Sequence, residues 1–302
     1  MENIIKKGIC ALDIERYVKD IKERVDSTLV RILPKASGSV SRAMRYAVQS
    51  GGKRLRPVLL ITTYQSLGGK IDRKIVTVAC SLEFIHAFSL IQDDLPPLDN
   101  DDYRRGKPTT HRAFGEDTAI LASDALLNEA YKIILDESHF SQKVKLKVLS
   151  ELSKAVQKLI IGQERDLELE KEKRVSLAQL NEINKEKTGA LLRACAKIAG
   201  ILRNVPDVEI KALEAFGEKL GLAYQILDDV LNVTAEAQAF RGKRFSDRQK
   251  GKVTYVSVIG VRKSRRTAQG LMRQAKEEVM KVSHLNTEKL FRLCDFILRR
   301  SH

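Results

Sequence analysis

Fifteen consecutive positions, 93–107, read Asp-Asp-Leu-Pro-Pro-Leu-Asp-Asn-Asp-Asp-Tyr-Arg-Arg-Gly-Lys: five carboxylates and then three cations, at the end of an apolar run. Hard divalent cations take oxygen ligands, and Mg²⁺ is bound by one or two carboxylates together with substrate phosphates. Arg104 and Arg105, directly after the acids, suit bidentate recognition of phosphate. Acid for a metal followed by base for a phosphate is chemistry directed at diphosphate esters. A second acidic pair stands about 130 residues downstream, where Gln225, Asp228, Asp229 and Asn232 are spaced i, i+3, i+4 and i+7 and share one helix face. Two such clusters on opposed helices of a bundle could share one metal–diphosphate cluster. Either cluster alone is also what a solvated acidic helix face looks like.

The basic counterpart lies upstream. Gly51-Gly52-Lys53-Arg54-Leu55-Arg56-Pro57 reads as a turn feeding a helix, with Pro57 suited to its first turn. Gly51 and Gly52 let the backbone approach a ligand closely, and Lys53 and Arg56 stand where the helix dipole also favours an anion. A capped basic turn is the plainer reading of the same residues. His86 precedes Asp93 by seven residues, so the two share a helical face with Ser89 between them.

Helices must position these groups. Of six prolines only Pro206 follows Pro108, so most of the chain is nearly free of helix breakers. Apolar spacing of helical period runs through 11–33, 39–49, 57–67, 72–93, 117–136, 144–169, 176–202, 207–235, 252–282 and 286–300. About ten helices in one all-α domain over 1–302 are expected, since no linker or solenoid repeat divides the chain. No run of eighteen apolar residues predicts a membrane span, and the first residues lack the pattern of a signal peptide. Cys10, Cys80, Cys195 and Cys294 are scattered without a CxxC, as expected of buried thiols in the reducing cytoplasm. The net charge of +15 is uneven, with ten Lys/Arg against one acid in 241–266. With aromatics at 5% and no nucleic-acid motif, a nucleic-acid partner is not expected. A polyanionic substrate, or an anionic membrane surface near a lipidic product, accounts for the charge.

On these motifs the chain resembles the short-chain trans-isoprenyl diphosphate synthases, head-to-tail prenyltransferases that include farnesyl and geranylgeranyl diphosphate synthases. The resemblance covers roughly residues 40–270. It rests on Gly51–Pro57, the acidic motif with Arg-Arg-Gly-Lys-Pro-Thr, Gly162-Gln163, Lys187-Thr188-Gly189 and the motif at 225–232, in that order. It implies an isoprenoid synthase-like bundle around a central cavity, a homodimer, and Mg²⁺, three ions per site, with Mn²⁺ as a substitute. Carried over residue by residue, it implies that Gly52, Lys53, Arg56, His86 and Arg105 serve isopentenyl diphosphate. Asp93 and Asp99, with Asp94 beside them, and Asp228 with Asp229 would hold the metals. Arg104 would contact the allylic diphosphate, and Lys187, Thr188 and Gln225 would flank the carbocation. Lys252 would close over the leaving diphosphate with Lys243 as its partner. Phe88 and Ser89, before the first motif, would set product length, with a farnesyl product expected and geranylgeranyl the alternative. Three positions depart from the family pattern: Asn232 replaces an Asp, Gln92 replaces a His, and Arg241-Gly242-Lys243 is displaced by about one position. A non-catalytic regulatory subunit is the competing reading, and the retention of Asp93, Asp99, Arg104, Lys187 and Asp228 weighs against it.

Overall fold

Long periodic segments without prolines leave helix ends to be set by individual caps. The computed structural model describes residues 13–35, 37–169, 171–172, 175–239 (backbone only for 235–239) and 253–299. Asp13 starts α1 (Ile14–Ile32) by accepting from the N–H groups of Glu15 and Arg16, both at 3.1 Å. Asp72 likewise starts α4 (Arg73–Asp93), accepting from Ile75 at 3.1 Å. Between them lie α2 (Ser39–Gln49) and α3 (Leu55–Ser66). After α4 come α5 (Thr110–Phe114), α6 (Glu116–Leu135), α7 (Gln142–Leu169) and α8 (Leu177–Asn184). The chain ends in α9 (Ala190–Arg203), α10 (Asp207–Ala239), α11 (Tyr255–Val279) and α12 (Glu288–Arg299). The expected all-α architecture is the observed one.

Helices α4 and α9 bury nearly every face, as a bundle's central helices must. α4 is long and apolar enough to cross a membrane, but 78% of that stretch is buried inside the bundle, so it is a core helix. It packs on α3 and α6, while α9 packs on α3, α7 and α10, and α10 packs on α11. Cys80, Cys195 and Cys294 are free and buried, and burial pushes the Cys294 thiol up to about 12. Cys10 lies outside the described residues.

Besides the short α5, which no expected segment covers, three elements depart from the expected helices. The segment expected as one helix over 176–202 is one rod that passes through a π turn, Lys185–Gly189, between α8 and α9. Such a turn carries one residue more than an α turn and is frequent at functional sites. Second, Tyr103–Arg104 (β1) pairs antiparallel with Lys107–Pro108 (β2) where no strand was expected. Arg105 and Gly106 link them at φ 54° and 79°, the left-handed pair that a two-residue type I′ hairpin demands. Third, α11 begins at Tyr255 under a reciprocal Thr254–Ser257 cap and is broken at Gly260, where φ is 76°. The β-branched run 253–259 is therefore mostly helical, because tertiary packing overrides a weak strand preference.

Candidate active site

One face of α4 carries Glu83, His86, Ser89, Leu90 and Asp93, and all five line a cavity of about 620 Å³. From the opposite side α10 contributes Tyr224, Gln225 and Asp228, the π turn contributes Lys187 and Thr188, and α7 contributes Leu159 and Gln163. The Gly51–Pro57 turn and the hairpin close the basic end with Gly52, Lys53, Arg56, Arg104 and Arg105. An Arg105 guanidinium N–H donates to the Gly51 carbonyl, tying hairpin to turn. Arg54 also borders the cavity, but its guanidinium is committed to an internal brace. It donates to Asp26 at 2.7 Å, to Glu83 at 2.9 Å and to the Val48 carbonyl at 2.6 Å. Its left-handed backbone, φ 48°, leads into α3. Arg56 differs: its Nε is buried and finds no hydrogen-bond partner among the described residues. Burial and the surrounding Arg56, Arg105, Arg104 and Arg54 push His86 well below the ordinary histidine range, so it is a neutral imidazole.

The two acidic pairs behave alike. Asp93 and Asp228 line the cavity. Asp94 is buried and gripped by Arg104, whose Nε lies 2.7 and 3.0 Å from its two carboxylate oxygens. Asp229 is buried too, accepting from Gln225 Nε2 and from the Tyr255 N–H, both at 2.9 Å. Because Asp229 accepts from Nε2, the Gln225 Oε1 is fixed as acceptor for the Thr188 hydroxyl at 3.0 Å. The Thr188 proton thus points to Gln225, and its lone pairs remain for the cavity. Lys187 bonds Asp166 on α7 at 2.6 Å. Lys53 bonds Asp228 at 2.7 Å and lies 5.2 Å from the Tyr224 ring centroid. Burial pulls its pKa down, but Tyr224 and Asp228 outweigh this and hold it above the ordinary lysine value.

Comparison with known proteins decides the family. The polyprenyl synthetase family profile matches residues 38–288. The chain belongs to the polyprenyl synthetase family. Among its relatives, dimethylallyltranstransferase of Fischerella ambigua is 40% identical over 95% of this chain and 83% of its own length. Farnesyl diphosphate synthase of Bacillus subtilis is 35% identical over 95% of this chain and 98% of its own. The crystal structure of geranylgeranyl pyrophosphate synthetase from Pyrococcus horikoshii superposes with a TM-score of 0.85 at 30% identity, covering 95% and 99% of the two chains. This polyprenyl synthetase is a prenyltransferase of the short-chain trans-isoprenyl diphosphate synthase type, with the isoprenoid synthase fold.

Within the polyprenyl synthetase the geometry sorts the residues named from sequence. Gly52, Lys53, Arg56, His86, Ser89, Asp93, Arg104, Arg105, Lys187, Thr188, Gln225 and Asp228 share one cavity. Asp94 and Asp229 were expected as metal ligands, but their carboxylates anchor Arg104, Gln225 and the start of α11. Neighbouring helix residues point about 100° apart, so the two members of each pair meet different surroundings. Asp99 does not line the cavity, although its N–H bonds the Asp93 carbonyl at 2.8 Å and so folds the acidic turn back on α4. Phe88 belongs to the apolar core and not to the cavity wall, which Ser89 reaches instead. Lys243 and Lys252 lie outside the described residues. Sequence reasoning missed Glu83, Asp166 and Tyr224, since isolated acids and aromatics in helical runs carry no signal of what they meet across the bundle.

The donor set suits Mg²⁺. Among the described residues no three His, Cys, Asp or Glu side chains gather tightly enough to hold an ion by themselves. Asp93 and Asp228 approach from two helices, the one-or-two-carboxylate arrangement that substrate phosphates complete. Arg56, with its unpartnered Nε, and Arg105 supply the cations such phosphates need.

Proposed function

We propose that this prenyltransferase condenses isopentenyl diphosphate with dimethylallyl and geranyl diphosphates, head to tail and with Mg²⁺, to give farnesyl diphosphate. The observation that carries the reading is one cavity lined by Asp93 from α4, Asp228 from α10 and the cations Lys53, Arg56 and Arg105. Arg56, Arg105 and neutral His86 bind the isopentenyl diphosphate, while Arg104, braced by Asp94, and Lys187, braced by Asp166, hold the allylic diphosphate. Mg²⁺ held by Asp93 and Asp228, when bound, neutralises charge on the leaving diphosphate. The allylic C–O bond breaks with its electron pair on the diphosphate, and the Thr188 oxygen offers lone pairs to the resulting cation. The isopentenyl π pair forms the new C–C bond, and the proton lost from the adjacent carbon goes to the departing diphosphate. Fixed dipoles aimed at developing charge lower such a barrier without reorganising.

Product length follows from the cavity's apolar end. Ser89 and Leu159 line the cavity and Phe88 does not, which supports a tail path over Ser89. Homodimerisation is supported by exposed apolar side chains on α6 and α7, namely Ile120, Leu121, Leu135, Leu146 and Ile160. The test is incubation of purified protein with Mg²⁺ and the five-carbon substrates, followed by chain-length analysis. A fifteen-carbon product is expected, shortened to ten carbons by Ser89→Phe, and turnover falls about a thousandfold or more in Asp93→Ala or Asp228→Ala. Undiminished turnover in either alanine variant, or in excess chelator, refutes the metal assignment, and an unshortened product from Ser89→Phe refutes the tail path.

A further inference from the structure

The Gly162-Gln163 pair stands out in the sequence but has no part in the reaction just described. Gln163 lies on α7 one turn beyond Leu159 and lines the same cavity as Lys187, Thr188 and Gln225. It is only 9% exposed, yet neither Oε1 nor Nε2 finds a hydrogen-bond partner among the described residues. An unpaired buried amide is costly, and an apolar side chain of the same shape would avoid the cost. Buried polar groups without partners require a reason. The neighbouring polar groups bond one another instead: Thr188 donates to Gln225, Gln225 donates to Asp229, and Lys187 is held by Asp166. Gln163 is also held in place. A Cβ on Gly162 would stand 2.5 Å from the Lys187 nitrogen, so α7 presses directly on the π turn at this level.

We propose that Gln163 is a catalytic residue that contacts the allylic substrate, its carboxamide oxygen facing the carbon that becomes cationic and its NH₂ donating to the departing diphosphate. The inference rests on the prenyl-transfer reading above. When the C–O bond breaks, its electron pair leaves with the diphosphate, and the allylic carbon stays electron-poor until the isopentenyl π pair closes the new bond. A group with an oxygen end and an N–H end answers both charges. An amide oxygen is too weak a nucleophile to capture the cation, so it stabilises without trapping. Both unpartnered atoms of Gln163 thereby acquire a partner in the same event.

The experiment compares wild type, Gln163→Met and Gln163→Glu on geranyl diphosphate and its 2-fluoro analogue, with isopentenyl diphosphate and Mg²⁺, beside thermal unfolding of each protein. Fluorine withdraws electrons and slows any step that builds positive charge. Gln163→Met removes two unpaired polar atoms, so its Tm should equal or exceed that of wild type by a few degrees. Its kcat should nevertheless fall roughly a hundredfold, as when one transition-state dipole is removed. The rate ratio between the two substrates should widen about tenfold, because a cation deprived of this dipole depends more on the electrons that fluorine withdraws. Gln163→Glu keeps the oxygen and should fall between the two, and it carries the same test if the methionine variant fails to fold. Ratios equal to wild type in both variants, or a kcat unaffected by methionine, overturn the inference and leave prenyl transfer standing. A wild-type enzyme indifferent to fluorine overturns the ionisation reading and this inference with it.

Discussion

The Lys53–Asp228 ion pair joins the residue read as an isopentenyl diphosphate anchor to the residue read as a metal ligand, and one ammonium cannot serve both partners fully. Its nitrogen stands 2.7 Å from the carboxylate with the side chains 43% and 35% exposed. An ion pair that exposed contributes about 0.2–1 kcal/mol once screened. The ammonium over Tyr224, at 5.2 Å, adds about 0.5–1 kcal/mol. Displacing Lys53 from Asp228 therefore opposes metal binding by about 1 kcal/mol, close to fivefold in affinity. Lys53→Met keeps the aliphatic stem and removes the charge. In a Mn²⁺ titration without substrates, followed by electron paramagnetic resonance of the free ion, the variant should bind about fivefold tighter than wild type. Isopentenyl diphosphate should tighten Mn²⁺ binding to wild type by drawing Lys53 away, and should do little to the variant. Asp228→Asn, with Lys53 retained or replaced, should lose the gain. A Lys53→Met protein that binds Mn²⁺ no better than wild type would show that the pair does not compete with the metal.

Two further outcomes are expected from the same geometry. Gly162→Ala sets a Cβ 2.5 Å from the Lys187 nitrogen and 2.8 Å from its Cα, both backbone atoms that cannot swing aside. The π turn must move, so kcat should fall at least about tenfold with a lowered Tm, as misplacement of a catalytic group by a fraction of an ångström does; wild-type kcat would mean that the turn's register is unimportant. For pH, His86 is held neutral well below its ordinary 6.5 by burial and four arginines, whereas the unfolded chain protonates near that value. Stability from this residue is complete above about pH 6.5 and is lost as pH falls, by at most about 1.4 kcal/mol per pH unit. Urea unfolding of His86→Gln should show a flatter loss on acidification, and an identical slope in both proteins would remove His86 from the account.

The helices were legible because their signal is periodic and uninterrupted. The expected segments 72–93 and 207–235 differ from Arg73–Asp93 and Asp207–Ala239 only at their ends. What periodicity cannot register is a change of one residue per turn. The π turn at Lys185–Gly189 and the break at Gly260 sit inside continuous helical patterns; α7 presses on the first at Gly162, and the second turns on the left-handed backbone of a glycine. The hairpin was hidden for another reason. Arg104-Arg105-Gly106-Lys107 has no apolar alternation, and its pairing depends on two left-handed residues, one of which is an arginine. Of the basic turn, Lys53 and Arg56 were legible as cavity residues, but Arg54 between them carries the same charge inward to Asp26 and Glu83. Sequence alone does not say which way a side chain points when its neighbours are the same chemical type.

The two acidic pairs show the same limit at the level of mechanism. An Asp-Asp dipeptide on a helix suggests two ligands, and i+3 and i+4 spacing from Gln225 made Asp228 and Asp229 look equivalent. They are not, and the division is the same at both ends of the cavity. The first carboxylate of each pair faces the cavity, while the second turns inward and fixes a neighbour that also faces it. Asp94 fixes the guanidinium of Arg104. Asp229 fixes the amide of Gln225, through it the hydroxyl of Thr188, and at the same time the first N–H of α11. Losing an inward carboxylate should therefore blur the orientation of the cation or dipole it braces, with the outward carboxylate still in place to take metal. Each pair thus joins charge with its own support in two adjacent residues about 100° apart, and the partners that meet the second carboxylate complete the split.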